Sequence, residues 1–324
     1  MKFAIHLAIV VAVLACGGQV SAQPYPDHPV RIIVPFAPGG PTDVIARIVA
    51  DKLSASLGKQ FYVVNQPGAS GNTGAGIAAT SAADGYTLIT VSTGFMINPS
   101  LFAKVPYDAV KDFAPITVVA TSANVISVHP PLAAKTLKEL IDLIKTGPTK
   151  YNFASPGIGS TPHLAGELLR VTQGIDLVPV VFTGAGPAIQ STIGGHTPIV
   201  ITSVAPAIPQ IKEGTLRALA VTSEKRLPAL PDVPTMAEAG FAGQESNTIT
   251  GILAPAATPR EIIALLHREI AKALTEPDVR KRLDDLGFQI VANTPDEFAA
   301  QIKEEMERWA KVIRDAKIKI EGAK

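Results

Sequence analysis

The chain has 324 residues with 29 Lys and Arg against 28 Asp and Glu, and this balance, without a basic cluster, argues against a nucleic-acid or anionic-membrane surface. Its one cysteine, Cys16, precludes an internal disulfide and any multi-cysteine metal site. A hydrophobic fraction of 47% over a length beyond the usual single domain is enough for two cores.

Taken in chain order, Met1 and Lys2 precede an apolar run over 3–15 and small residues ending in Val20, Ser21 and Ala22, the layout of a secretory signal peptide cleaved after Ala22. The run, at about 13 residues, is too short to span a bilayer, and no later stretch reaches about 18 uninterrupted apolar residues. A lipoprotein box ending at Cys16 fits weakly, since Leu14 is unusual just before the small residue. Cleavage after Ala22 would remove Cys16 and Lys2, leaving no thiol for metal or nucleophile chemistry.

A strand over 30–35 leads into a helix over 42–57 closed by Gly58, and a second strand lies over 86–91. A further series follows, with strands near 124–128, 151–154, 177–181, 198–202 and 216–221, separated by helices such as 136–145 and 160–172. Beyond a Pro-rich segment over 227–234 come a strand near 248–253 and helices over 259–274, 277–286 and 295–316, each opened by a proline suited to the first turn. The alternation predicts α/β units on largely parallel sheets.

The chemistry concentrates in the strand-to-helix turns. After the first strand comes Pro35-Phe36-Ala37-Pro38-Gly39-Gly40-Pro41-Thr42-Asp43, where two glycines let a ligand approach the backbone and the helix start presents free N–H groups to an anion. Asp43 is more plausible as a helix cap, because a second negative charge would repel a carboxylate. A matching turn, Ser155-Pro156-Gly157-Ile158-Gly159-Ser160-Thr161-Pro162-His163, gathers hydroxyls that either cap the helix or donate to a ligand. His163 lies in the first helical turn, where the dipole favours a neutral imidazole. Thr183 and Ser203 stand in two more such turns, and Thr93, just past the strand over 86–91, is a further candidate.

Gly74-Ala75-Gly76-Ile77-Ala78-Ala79 spells a dinucleotide-type pattern, but it does not directly follow a strand. No Walker A or G-x-S-x-G pattern occurs, and His28, His129, His163, His196 and His267 lack ligand spacing. No cofactor and no metal are expected.

The segments 35–47, from Pro-Phe-Ala-Pro-Gly-Gly to Arg47, and 65–74, Asn-Gln-Pro-Gly-Ala-Ser-Gly-Asn-Thr-Gly, resemble the Bug family of substrate-binding proteins, as do 218–223, 230–235 and 251–255. The resemblance implies a two-lobed, type II periplasmic-binding fold of the Venus-flytrap kind, with lobe 1 over 23–120 and 225–324 and lobe 2 over 121–224. It implies crossings near 117–124 and 222–226, and a monomer that passes its ligand to tripartite tricarboxylate transporter subunits in the membrane. It implies a small carboxylate held by the first-lobe loop (Phe36, Ala37, Pro38, Gly39, Gly40, Thr42) and the second-lobe turn (Ser155, Gly159, Ser160, Thr161, His163), with water bridging.

Two departures bear on the ligand. Ile201-Thr202-Ser203 stands where the family often has an aspartate, and Thr250 where it often has an aromatic. Losing an acid while keeping hydroxyls favours a mono-, di- or tricarboxylate over an amino acid. Since no Arg or Lys lies inside either loop, Arg31, Arg47, Lys150 and Arg170 being only flanking, backbone donors are expected to carry the anion. The alternative is a hydrolase or transferase with Ser160 or Ser203 as nucleophile and His163 as base, and a third reading is a structural or adhesive envelope protein without a ligand.

Overall fold

The computed structural model describes residues 25–147 and 151–315; the signal-peptide assignment, Cys16, Lys150 and Ala316 fall outside them. The first units alternate as expected: β1 (Val30–Val34), α1 (Pro41–Leu57), β2 (Phe61–Asn65), α2 (Asn72–Ala79), β3 (Thr87–Ser92) and α3 (Gly94–Leu101). Gly58 closes α1 with a left-handed φ of 70° and an N–H donated to Ser54, a conformation glycine adopts without a Cβ penalty. β1 pairs in parallel with both β2 and β3.

Then comes β4, a 16-residue strand over Phe113–Val128. Beyond it follow α4 (Leu137–Thr146), β5 (Tyr151–Ser155), α5 (Thr161–Gln173), β6 (Leu177–Val181), α6 (Ala185–Ile193), β7 (Ile199–Ser203), α7 (Val204–Lys212) and β8 (Arg217–Val221). The chain finishes with β9 (Asn247–Pro255), α8 (Arg260–Ala273), α9 (Pro277–Asp285), β10 (Phe288–Ile290) and α10 (Pro295–Asp315).

The strands run in the order β2-β1-β3-β9-β4-β7-β5-β6, with β8 and β10 also on β4. Phe113 to Ala123 of β4 pair with β9, whereas Asn124 to Val128 pair with β7, so one strand joins both lobes and changes partner between Ala123 and Asn124. The expectation of largely parallel sheets holds on the flanks only. Every pairing of β4, and that of β3 with β9, is antiparallel, because strands that travel between lobes must run out and back.

Two main groups of apolar side chains flank each half. On the first half, Ile45, Leu53, Leu88 and Leu266 make one, and Ile89, Phe95, Leu253 and Phe298 another. Leu140, Phe153, Ile199 and Ile201 make one on the second half, and Val125, Ile189 and Ile208 the other. The segment after β8 packs Leu227, Leu230, Val233 and Met236 into the second-half groups, and Met236 donates its N–H to Val221 at 2.9 Å. β9 begins at Asn247, just after Ser246 donates its N–H to the Thr222 carbonyl at 3.1 Å.

Candidate ligand-binding cleft

Each wall is a strand-to-helix turn whose local structure follows from its residues. Pro41 sets φ for the first turn of α1, Gly40 takes the N-cap position with no side-chain cap, and Gly39 before it has a φ of +88°. Asp43, in the first turn, reaches back: Gly39 N–H donates to its Oδ2 at 3.0 Å, Arg47 donates through Nε and Nη2 at 2.9 and 3.0 Å, and Asn65 donates at 2.8 Å. Asn65 also donates to the Phe36 carbonyl at 3.0 Å. Asp43 therefore pins the glycine loop. Burial raises its pKa, but these donors outweigh it and hold the carboxyl below its ordinary range.

In the second turn Ser160 caps α5, accepting from His163 N–H at 3.4 Å and donating to Gly157 O at 2.7 Å. The His163 ring accepts Gly159 N–H on Nδ1 at 3.3 Å, which leaves the proton on Nε2, and burial lowers its pKa to about 4. Gly159, at φ +72°, lies so close to α3 that a Cβ there would meet Leu101 Cδ1 at 2.8 Å. The Thr161 hydroxyl bonds that of Thr248, which donates to Asn124 Oδ1 at 3.3 Å. Asn124 donates in turn to Ser246, so the turn is tied to the strand crossing.

Two more helix starts complete the walls. Gly184 and Ser203 are the N-caps of α6 and α7, and neither helix has a side-chain cap bond. Between the turns is a cleft of about 540 Å³, partly open to solvent. Phe36, Ala37, Gly40 and Thr42 line one side with Ser92; Ser160, Thr161, Gly184, Ala185 and Ser203 line the other; Thr248 also faces it. Among the described residues no Asp, Glu, Lys, Arg or His lines it. The flanking arginines are engaged elsewhere: Arg31 donates to Thr87 at 3.2 Å, Arg47 to Asp43, and Arg170 to Glu167 at 3.0 and 2.7 Å.

Seven of the fourteen residues expected from the sequence thus meet in one cleft, namely Phe36, Ala37, Gly40, Thr42, Ser160, Thr161 and Ser203. Thr183 lines a neighbouring cavity, which Phe36 and Pro156 share. The other six lie off the lining. Pro38 and Gly39 are exposed behind the loop. Thr93 is fully buried, and its hydroxyl accepts Ile249 N–H at 2.8 Å. Ser155 is buried with an unpartnered hydroxyl, while Gly159 and His163 shape the turn from behind.

Lining residues missed from the sequence are Pro41, Ser92, Pro156, Pro162, Gly184, Ala185 and Thr248. Ser92 ends β3 and could have been found from the tendency of ligands to sit at the carboxyl ends of parallel strands. Thr248 had no such marker, because it enters the cleft from the antiparallel β9.

A serine nucleophile has no support in this geometry. Ser160 contacts the backbone of His163 and not its ring, the hydroxyl proton goes to a carbonyl, and among the described residues no hydrogen bond joins Ser203 to an imidazole. An activated serine needs a base within hydrogen-bond reach.

Residues 45–318 match the model of the tripartite tricarboxylate transporter family receptor, TctC. The chain is 36% identical over 316 residues to protein BugT of Bordetella pertussis, covering 97% of each. A structure of a Rhodopseudomonas palustris protein with adipate is 32% identical at a TM-score of 0.88, covering 91% of this chain and 99% of that one. MatC from Rhodopseudomonas palustris with bound malate is 33% identical at 0.85, covering 89% and 100%. A family model spanning most of the chain, with relatives above 30% identity along nearly its whole length, leads to one conclusion: this chain belongs to the TctC family of tripartite tricarboxylate transporter receptors.

Proposed function

We propose that the protein works in the periplasm as a monomer, captures a small organic carboxylate between its lobes and delivers it to the membrane subunits of a tripartite tricarboxylate-type transporter. The observation that carries this is the convergence of four helix N-termini, three of them without side-chain caps, on a cleft that no ionisable residue lines among the described residues. Uncapped first-turn N–H groups lack an intrahelical partner, and the helix dipole adds about 0.3–1 kcal/mol per terminus for an anion. Hydrogen bonds to a charged group contribute about 1.5–3 kcal/mol each, so three to five, less ordering costs, reach the roughly 8 kcal/mol of a micromolar complex. The absence of a lining acid disfavours an ammonium group. Relatives whose structures are with adipate and with bound malate support the carboxylate class.

In this reading residues 25–123 and 247–315 make one lobe and 124–246 the other, with the hinge at the partner change in β4 and at the start of β9. Ligand contacts on both lobes make binding and closure one event. Titration calorimetry with aliphatic and aromatic mono-, di- and tricarboxylates tests the proposal. Thr42→Ala is expected to weaken the best ligand by about tenfold, the worth of one hydrogen bond; a full panel without heat of binding would overturn the reading.

A further inference from the structure

Beside the anion cleft is a second cavity of about 650 Å³, reached past Phe36 and Pro156, which line both. One wall is the turn Pro67 to Gly71, whose residues Gly68, Ala69, Ser70 and Gly71 all have positive φ, from 46° to 139°. Such backbone is costly outside glycine and survives only where the surroundings impose it. Gly71 is needed because a Cβ there would press on the Phe36 ring at 3.3 Å and on Pro35 at 3.4 Å. The opposite wall is Ile158, Val181, Phe182 and Thr183. Val181 is 39% exposed, an apolar group left partly open to water at the cavity wall.

We infer that this second cavity takes the apolar body of the ligand, so that the preferred solute is a monocarboxylate with an aromatic or branched-aliphatic tail, not a short di- or tricarboxylate. The inference rests on the carboxylate reading above. A carboxylate seated on the helix starts of the first cleft can extend past Phe36 and Pro156 into a space where the side-chain polar groups are the hydroxyls of Ser70 and Thr183. No Asp, Glu, Lys, Arg or His lines it among the described residues. A second carboxylate pushed there would shed water and find no free helix start to replace it, because the first N–H groups of α2 are already given to the Ala69 and Gly68 carbonyls, whereas an apolar tail would lose only unfavourable hydration and would cover Val181.

The test is titration calorimetry of the exported chain with phenylacetate, 4-phenylbutyrate, succinate, adipate and citrate, with wild type and Val181→Lys. Phenylalkanoates are expected to bind more than about tenfold tighter than succinate or citrate, the scale of filling an apolar pocket. Val181→Lys places a cation in the cavity and is expected to cost phenylbutyrate about tenfold or more while strengthening adipate, reversing their order. Thr183→Arg, on an exposed position of the same wall, is the second variant if the first does not fold, as judged by its melting curve without ligand. Succinate or citrate binding as tightly as the phenylalkanoates, or a ranking unmoved by either cation, overturns the assignment of the second cavity and leaves the carboxylate reading standing. Binding of none of the five overturns both.

Discussion

His163 shows how one buried side chain can shape a site without touching the solute. Its imidazole is 2% exposed, holds Gly159 N–H and titrates near pH 4. The unfolded chain binds that proton near pH 6.5, so between pH 6.5 and 4 the unfolded state holds more protons. Stability contributed by the neutral ring is therefore present above about pH 6.5 and is lost as the pH falls toward 4, by up to about 1.4 kcal/mol per unit. His163→Gln, neutral throughout, should narrow its stability deficit on acidification; urea midpoints at neutral and acid pH measure this, and a constant deficit would refute it. Arg47 acts at a distance too, because it supports the carboxylate that holds Gly39. Although Arg47 does not line the cleft, Arg47→Ala should cost about 1.5 kcal/mol or more of stability, the worth of a hydrogen bond to a charged group. It should also weaken ligand binding through a looser loop, read by calorimetry against the urea midpoint.

At the scale of elements, β4 and β9 carry the architecture. Gly251 on β9 faces Phe298 of α10, and a Cβ there would come within 2.3 Å of the ring's Cζ. Phe298 is fully buried and cannot retreat. Gly251→Ala should therefore destabilise by about 1–3 kcal/mol through overpacking, visible as a lower urea midpoint with an unchanged slope. Where β4 changes partner, Asn124 donates to Ser246 and accepts from Thr248, with no exposure to solvent. Asn124→Ala strands those groups in the interior. The expected cost is about 2–4 kcal/mol, since each buried polar group left unpaired costs about 1–3 kcal/mol; a loss below 1 kcal/mol would mean that this network contributes little at the crossing.

For the whole molecule the consequence is a binding protein, not an enzyme, whose two lobes share a sheet through β4. Under the proposed division cleft residues come from both lobes, so a saturating ligand should lower the radius of gyration in small-angle scattering; an identical value with and without ligand counts against hinge closure. Ligand at 100 times its dissociation constant should add about 2.7 kcal/mol to stability, measured as a rise in melting temperature that a ligand-free envelope protein would not show.

Local patterns were legible because they obey short-range rules. The helix closed at Gly58, the turn-opening prolines and the apolar strand runs follow from backbone sterics and periodicity, and they placed α1, α5, α8, α9 and α10 within a residue or two. The two glycine turns were legible for the same reason, and half the expected site residues meet in the cleft. Periodicity says nothing of pairing, however. It did not reveal that β4 runs unbroken through 16 residues and pairs with β9 and then with β7, that Leu227 to Met236 pack against the groups around Val125 and Leu140, or that Thr248 faces the cleft. Nor could the sequence distinguish Thr42 and Thr161, which line the cleft, from Thr93, whose hydroxyl is held by β9. Those outcomes depend on which distant segment reaches a polar group first, and only the tertiary packing decided them.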